Sequence, residues 1–169
     1  LRAGYSETVS YPGLIERSES QSFDPETDDP IFGNPDLQVS TIDNLDLRAE
    51  YYFSEDESIS LAIFTKQIDS PIERAIPDAS GSAAGGITFV NQDSADLLGV
   101  ELDANKNLID HDEYMLFIGG NLSYIDSEVD LSEDSLRLEG VNADGRTLQG
   151  QSEWLANFQL GFDHYPTEQ

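Results

Sequence analysis

Between Asp43 and Phe53 the chain reads DNLDLRAEYYF, with an apolar or aromatic residue at nearly every second position. Drawn as a strand, this stretch turns Leu45, Leu47, Ala49, Tyr51 and Phe53 to one face. Asn44, Asp46, Arg48, Glu50 and Tyr52 turn to the other, because successive side chains of a strand alternate. The same period of two predicts strands at 1–11, 41–53, 58–69, within 87–105, 113–126 and 152–165. Strand 58–69 sets Ile59, Leu61 and Ile63 against Ser58, Ser60, Ala62 and Lys66. The last strand sets Trp154, Ala156, Phe158, Leu160 and Phe162 against Asn157, Gln159, Gly161 and Asp163. No run of apolar residues at i, i+3, i+4, i+7 extends beyond about two turns, so the pattern predicts an all-β chain.

The connections alternate in length. Segments 12–40, 70–86 and 127–151 are long, the last with a hairpin extension expected at SLRLEGV (135–141). Segments 54–57 (SEDE) and 106–112 (KNLIDHD) read as compact turns. An antiparallel up-and-down meander with long loops at one end and short turns at the other has this parity, as outer-membrane barrels do. A β-sandwich has no reason to sort its loops in this way. Aromatic residues fall at the strand ends: Tyr51, Tyr52, Phe53, Tyr114, Phe162 and Tyr165 beside the short turns, Tyr11 and Tyr124 at the opposite rim. Amphipathic rings favour the depth of lipid headgroups, although cross-strand ring pairs in a soluble sheet would look the same. Asp46, Arg48, Glu50, Glu101, Asp103 and Asn105 on the second face suit water or a hydrated lumen and not a dry core.

Composition narrows the reading. The 169 residues carry 34 acidic and 8 basic side chains, a formal net charge of −26. That balance argues against nucleic acid as a partner, since phosphates need cations to neutralise them. It also argues against basic-patch adsorption to anionic lipid. Eight Phe and seven Tyr are too many for a disordered acidic tail. With no cysteine, disulfides, thiolate nucleophiles and Cys-ligated zinc are excluded. No apolar run reaches about 18 residues, which excludes a transmembrane helix but not a barrel strand of about 9–11 residues. No leader is apparent at LRAGYSETVSY, and both ends read as cuts within a longer protein.

No catalytic constellation emerges. There is no P-loop, nucleophile elbow or HExxH, and nothing sets one carboxylate apart from the other acids. His111 and His164 sit near acids at the expected short turns and read as solvated turn histidines, with no metal and no cofactor assigned. The acid-rich stretches DPETDDP (24–30) and DSEVDLSEDS (126–135) read as hydrated loops. Weak calcium binding is the other reading, but the spacing does not follow an EF-hand. Recognition usually resides in loops on a rigid scaffold. Arg17, Arg74, Arg137 and Arg146 are the ligand-binding candidates, as the cations of the long loops; pairing with acids is the competing role.

FGNPDLQVSTIDNLDLRAEYYF (32–53) resembles a stretch in the C-terminal barrel of TonB-dependent outer-membrane receptors, through Gly33, Asn34, Pro35, Leu37, Asn44, Leu47, Glu50 and Tyr51. SISLAIFTKQIDSPI, NQDSADLLGVELDAN and LQGQSEWLANFQLGF are similar to later strands of that barrel, and YSETVSYPGL to an earlier one, with Tyr11 where Arg is common. The resemblance covers nearly the whole chain, in order. It implies about six strands of a transmembrane barrel of about 22. It further implies a non-enzymatic receptor of the Gram-negative outer membrane that imports a scarce nutrient: an iron chelate, cobalamin or a saccharide. The implied partners are the protein's own plug domain and the rest of the barrel, the TonB complex, reached through an N-terminal part not present here, outer-membrane lipid, and a small ligand at the extracellular loops. Glycines 99 and 161 are expected to remove side chains from the inner face, where a plug or a crossing strand would approach, and Lys66 and Arg48 to pair with carboxylates there.

A secreted, acidic, calcium-assisted β-sandwich for adhesion or glycan binding is the alternative; it accounts for strands and acids but not for loop parity. As an isolated piece, a barrel segment is expected to associate through its open edges, curl its sheet, or fold its long loops over the apolar face.

Overall fold

A computed structural model describes residues 1–76, 86–133, 135–136 and 145–165. One six-stranded antiparallel sheet dominates. Its strands are β1 (Arg2–Ser10), β4 (Ser40–Tyr52), β5 (Ser58–Asp69), β8 (Ser94–His111), β9 (Tyr114–Asp130) and β10 (Trp154–His164). They lie in the order β1-β4-β5-β8-β9-β10, so each pairs with the next long strand of the sequence. Two short hairpins stand in the loops: β2 (Ser22–Phe23) with β3 (Pro30–Ile31), and β6 (Ile72–Ala75) with β7 (Thr88–Asn91). Among the described residues the sheet is not closed, and β1 and β10 each leave one edge without a strand.

Register explains why the alternation matters. One row across the sheet reads Ala3, Leu47, Ile63, Val100, Tyr124, Trp154. The next reads Ala49, Leu61, Leu102, Leu122, Ala156. One residue away, on the opposite face, the row is Glu50, Ser60, Asp103, Asn121, Asn157. A slip of one residue would exchange the two faces, so the register is strongly specified. The apolar rows are not a core: Leu47 and Leu61 are each 46% exposed and Phe158 is 73% exposed. Among the described residues no second sheet covers them, which overturns the sandwich alternative, and the described parts of the long loops do not fold over them.

Aromatic rings frame this face. At the short-turn rim Tyr51 meets Phe53 edge-on at 4.9 Å, and His111, Tyr114 and Phe162 form a stacked series at 4.8 and 6.1 Å. Towards the long loops, Tyr124 meets Trp154 at 4.8 Å. Trp154 to Phe162 is about 27 Å of strand at ~3.4 Å per residue. A tilt of about 40° gives that stretch about 20 Å of height, close to the ~25 Å apolar band of a membrane barrel. Beyond the upper rim the same face turns acidic, with Glu7, Asp43, Gln67, Asp96 and Glu128 aligned across the sheet.

The expected strands are present, with corrections at their ends. Segment 106–112 is not a turn. β8 continues to His111 through a bulge between Asn107 and Ile109, and the connection is only Asp112–Glu113. Lys106 is held in the ladder because its Nζ bonds the Glu57 carboxylate at 2.7 Å and lies 5.6 Å over the Phe53 ring. That ammonium, with the Asn107 N–H, holds the Glu57 carboxyl below the usual carboxylate range. Segment 87–105 divides at Gln92–Asp93 into β7 and β8. Segment 126–130 is strand and not loop, since Asp126, Glu128 and Asp130 alternate with the inward Ser127 and Val129. Of the expected extension at 135–141, Ser135 and Leu136 lie in a single helical turn closed by Leu136 N–H to Ser132 O at 2.9 Å. The remainder of that extension lies outside the described residues.

Glycines 99 and 161 do not leave open space for a plug. The Phe64 ring lies over Gly99 from the neighbouring strand, and the Phe117 ring lies over Gly161 in the same way. Each ring covers backbone that a side chain would otherwise shield, as in aromatic rescue of sheet glycines. On the same face Arg48 bonds Glu50 at 2.9 Å, as expected, and Arg2 joins at 3.2 Å. Lys66 makes no ion pair among the described residues.

Gly99→Val is expected to displace the Phe64 ring and cost about 1–3 kcal/mol, read by urea unfolding of the full-length barrel refolded into lipid vesicles. Combined with Phe64→Ala it should cost less than the two changes summed; strict additivity would refute the ring-over-glycine account.

Candidate functional site: the joined long loops

The buried core of this chain lies at the long-loop end. Ile31, Leu37 and Phe89, with Ile72 and Ile87, form one cluster between the first and second long loops. Ala95, Val129 and Leu131, with Ile68, Leu136 and Leu148, form another where the third loop covers the top of the polar face. Burying apolar surface here gives the loops a fixed arrangement that their polar composition alone would not.

Hydrogen bonds complete the assembly. Phe32 N–H donates to Ile87 O and Ile87 N–H to Pro30 O, each at 2.8 Å, so β3 and the approach to β7 share a main-chain ladder. Asn34 ties three places at once: its N–H donates to Glu16 O at 2.6 Å, its Nδ2 to Phe89 O at 2.9 Å, and its Oδ1 accepts from Asp36 N–H at 3.0 Å. Gly33 is packed so tightly against the backbone of Ile15 and Ser18 that no Cβ fits. Asn91 accepts from Gln38 N–H at 2.8 Å and donates to Ser70 O at 2.8 Å.

The third loop is fastened by charge. Arg146 grips both oxygens of Glu73, at 2.8 and 3.3 Å, and Glu73 is only 5% exposed. Gln149 N–H adds a bond to the same carboxylate at 3.0 Å. The Gln149 side-chain amide accepts from Arg74 N–H at 3.1 Å and donates to Arg74 O at 2.9 Å. A cleft of about 520 Å³ opens where the three loops meet, lined by Glu16, Ile72, Glu73, Arg74, Phe89, Leu148, Gln149 and Gly150.

Of the four candidate arginines, Arg74 lines this cleft. Its guanidinium touches Asp24 at 3.4 Å through one nitrogen, and its side chain is 57% exposed. Arg146 stands behind the cleft, committed to Glu73. Arg17 donates to Pro35 O at 3.2 Å and bears on the shape of the first loop. Arg137 lies outside the described residues. Sequence reasoning missed Asp24, Glu73, Asn34 and Gln149. Asn34 and Gln149 lay within stretches that carry the resemblance and Asp24 within the acid-rich DPETDDP, but nothing in the sequence set them apart as site residues. DPETDDP is a tight turn: Asp24 Oδ1 accepts from Glu26 N–H at 2.9 Å and Thr27 N–H at 3.4 Å, with Asp28 at φ 63°. Those main-chain bonds, and the nearby Arg74 charge, hold the Asp24 carboxyl below the usual range. No group of three or more His, Asp or Glu suited to a metal ion forms among the described residues.

An antiparallel meander with one bare apolar face, aromatic rims, and its long connections gathered at one end has the form of a section of a transmembrane barrel wall. The family model for TonB dependent receptor-like, beta-barrel proteins matches residues 1–168, and the chain belongs to that family. Among solved structures, the siderophore receptor PirA from Pseudomonas aeruginosa shares the fold, with a TM-score of 0.56 at 18% identity over 78% of this chain. The chain spans 28% of that receptor. No curated protein matches the sequence.

Arg146→Ala should strand the buried Glu73 charge, costing about 3 kcal/mol of loop docking. Faster hydrogen exchange across 72–75 and 146–150 would register it; unchanged exchange would refute the clamp. A lowered carboxyl stabilises docking at pH above its ordinary value and loses that contribution as pH falls through the lowered one. Exchange protection in 22–31, taken relative to the unstructured rate at each pH, should therefore hold steady down to about pH 4 and fall below it, and Asp24→Asn should abolish the step.

Proposed function

We propose that this chain is a partial barrel of about six strands in a receptor of the Gram-negative outer membrane, which captures a scarce nutrient at its long loops and imports it. Its apolar face meets lipid. Its polar face, with Arg2, Arg48 and Glu50 in one cluster, meets a hydrated lumen and the protein's own plug domain. The free edges of β1 and β10 continue the barrel by main-chain pairing with neighbouring strands. In an isolated chain they pair with a second copy, which light scattering would detect. Energy for import comes from the TonB complex, acting through a part of the protein beyond this chain.

The observation that carries this reading is the union of the three long loops into one packed body at one end of a membrane-type wall. Loops that served only as connections would need no shared core and no buried Glu73–Arg146 pair. Within that body Arg74 is the residue placed to meet a ligand. Its single 3.4 Å contact with Asp24 leaves most of its guanidinium donors available. PirA is a siderophore receptor, and an iron chelate is one candidate cargo beside cobalamin and saccharides.

A strain lacking the full-length gene should lose growth on one scarce nutrient, and the protein should fractionate with the outer membrane. In the restored strain, Arg74→Ala should weaken uptake of that nutrient about tenfold, the scale of one charge-assisted hydrogen bond. Recovery of the protein in the soluble fraction would end the proposal.

A further inference from the structure

The cleft among the loops contains a strand edge that is already occupied by an amide. Among the described residues β6 pairs with β7 on one side only. Gln92 N–H donates to Pro71 O at 2.8 Å, which turns the main chain of Pro71, and by alternation Glu73 and Ala75, towards β7. Ile72 and Arg74 therefore direct their N–H and C=O groups away from β7. At Arg74 those two groups are met by the side-chain amide of Gln149, one bond donated and one accepted. That carboxamide does for Arg74 what the N–H and C=O of one facing residue in an added antiparallel strand would do. The next pair along the same edge, on Ile72, is met by no group of the described residues and lies at the cleft.

We propose that the cleft binds an extended peptide, which adds to the free edge of β6 as a strand and takes the place of the Gln149 side chain at Arg74. The proposal rests on the receptor reading above and names its cargo class. Exposed edges template main-chain pairing, and strand addition draws affinity from the main chain and selectivity from pockets for alternate side chains. Here Ile72, Phe89 and Leu148 supply the apolar part of the wall. Arg74 offers a cation to a peptide carboxylate and Glu16 an anion to an ammonium, so both ends of a free peptide find opposite charge. Gln149 is an internal competitor that satisfies the edge in the absence of cargo. It sits on the third loop, whose position Arg146 fixes through Glu73.

The test uses the full-length receptor in detergent and an equimolar pool of free tetrapeptides with random inner positions. Main-chain recognition tolerates sequence, so a pool is the suitable probe. Hydrogen exchange across 71–75 should slow at least about fivefold with the pool. A pool methylated on its inner amide nitrogens should have no effect. Gln149→Ala should speed exchange there without peptide and tighten pool binding about fivefold or more, since the competitor is gone. Unchanged exchange with the pool in both the native protein and Gln149→Ala would overturn the proposal, as would equal protection by the methylated pool. Uptake of a non-peptide nutrient that depends on Arg74, with no peptide protection, would overturn the peptide assignment and leave the receptor reading standing. Peptide protection in a protein whose deletion affects no uptake would support the peptide site and end the receptor reading instead.

Discussion

A main chain crossing hydrocarbon has no water to bond, so every N–H and C=O must find its partner inside the sheet, at a cost of several kcal/mol for each that does not. The continuous ladder from β1 through β10 meets this requirement along its whole interior. It fixes the register, and the register fixes which side chains share a face. Apolar residues then collect in rows on one side while Glu50, Ser60, Asp103, Asn121 and Asn157 collect on the other. Even the irregular points obey the same demand. At the bulge after Asn107, where the ladder slips, the Asn107 N–H is taken by the Glu57 carboxylate at 3.1 Å.

Water-soluble domains bury their large apolar residues within; this chain shows most of them. Its close packing is displaced to the loop end, where Val129 and Leu131 are almost fully covered. The division follows from the surroundings. Along the wall, hydrocarbon is as good a neighbour for Leu as another Leu, so packing there adds little. At the loop end the medium is water, and both the hydrophobic effect and buried hydrogen bonds operate in full. Side chains stand in for main chain at several joints: Asn34 on Phe89, Asn91 between Gln38 and Ser70, Gln149 on Arg74. Such joints let irregular segments dock without long strands of their own.

The sheet was legible because its signal is periodic and local. Strand 58–69 was bounded as found, and the parity of the loops announced the direction of the meander. Errors fell where polarity and period gave conflicting advice. DSEVD looks like a loop by composition, yet its carboxylates still alternate with Ser127 and Val129, and the strand continues past the apolar rows. KNLIDHD looked like a turn because its polar residues mask a bulged strand pinned by Lys106 and Glu57. Glycines 99 and 161 were read as gaps because the rings that fill them come from adjacent strands, at separations in sequence no local pattern records. The loop site was the least legible. Arg74 was visible as a cation, but Asp24 and Gln149 are brought to it from 50 and 75 positions away, and Arg146 to Glu73 from 73. Only the fold reveals which of many acids and amides arrives.

The clamp between Glu73 and Arg146 also constrains how such loops can diversify. A carboxylate with so little access to solvent tolerates poorly the loss of its guanidinium, so a graft of the third loop lacking Arg146 leaves the second loop with a stranded charge. Change in this part of the wall therefore comes in coupled steps: exchange of one loop calls for a matching exchange in the other, and chimaeras that cut between them inherit a mismatch.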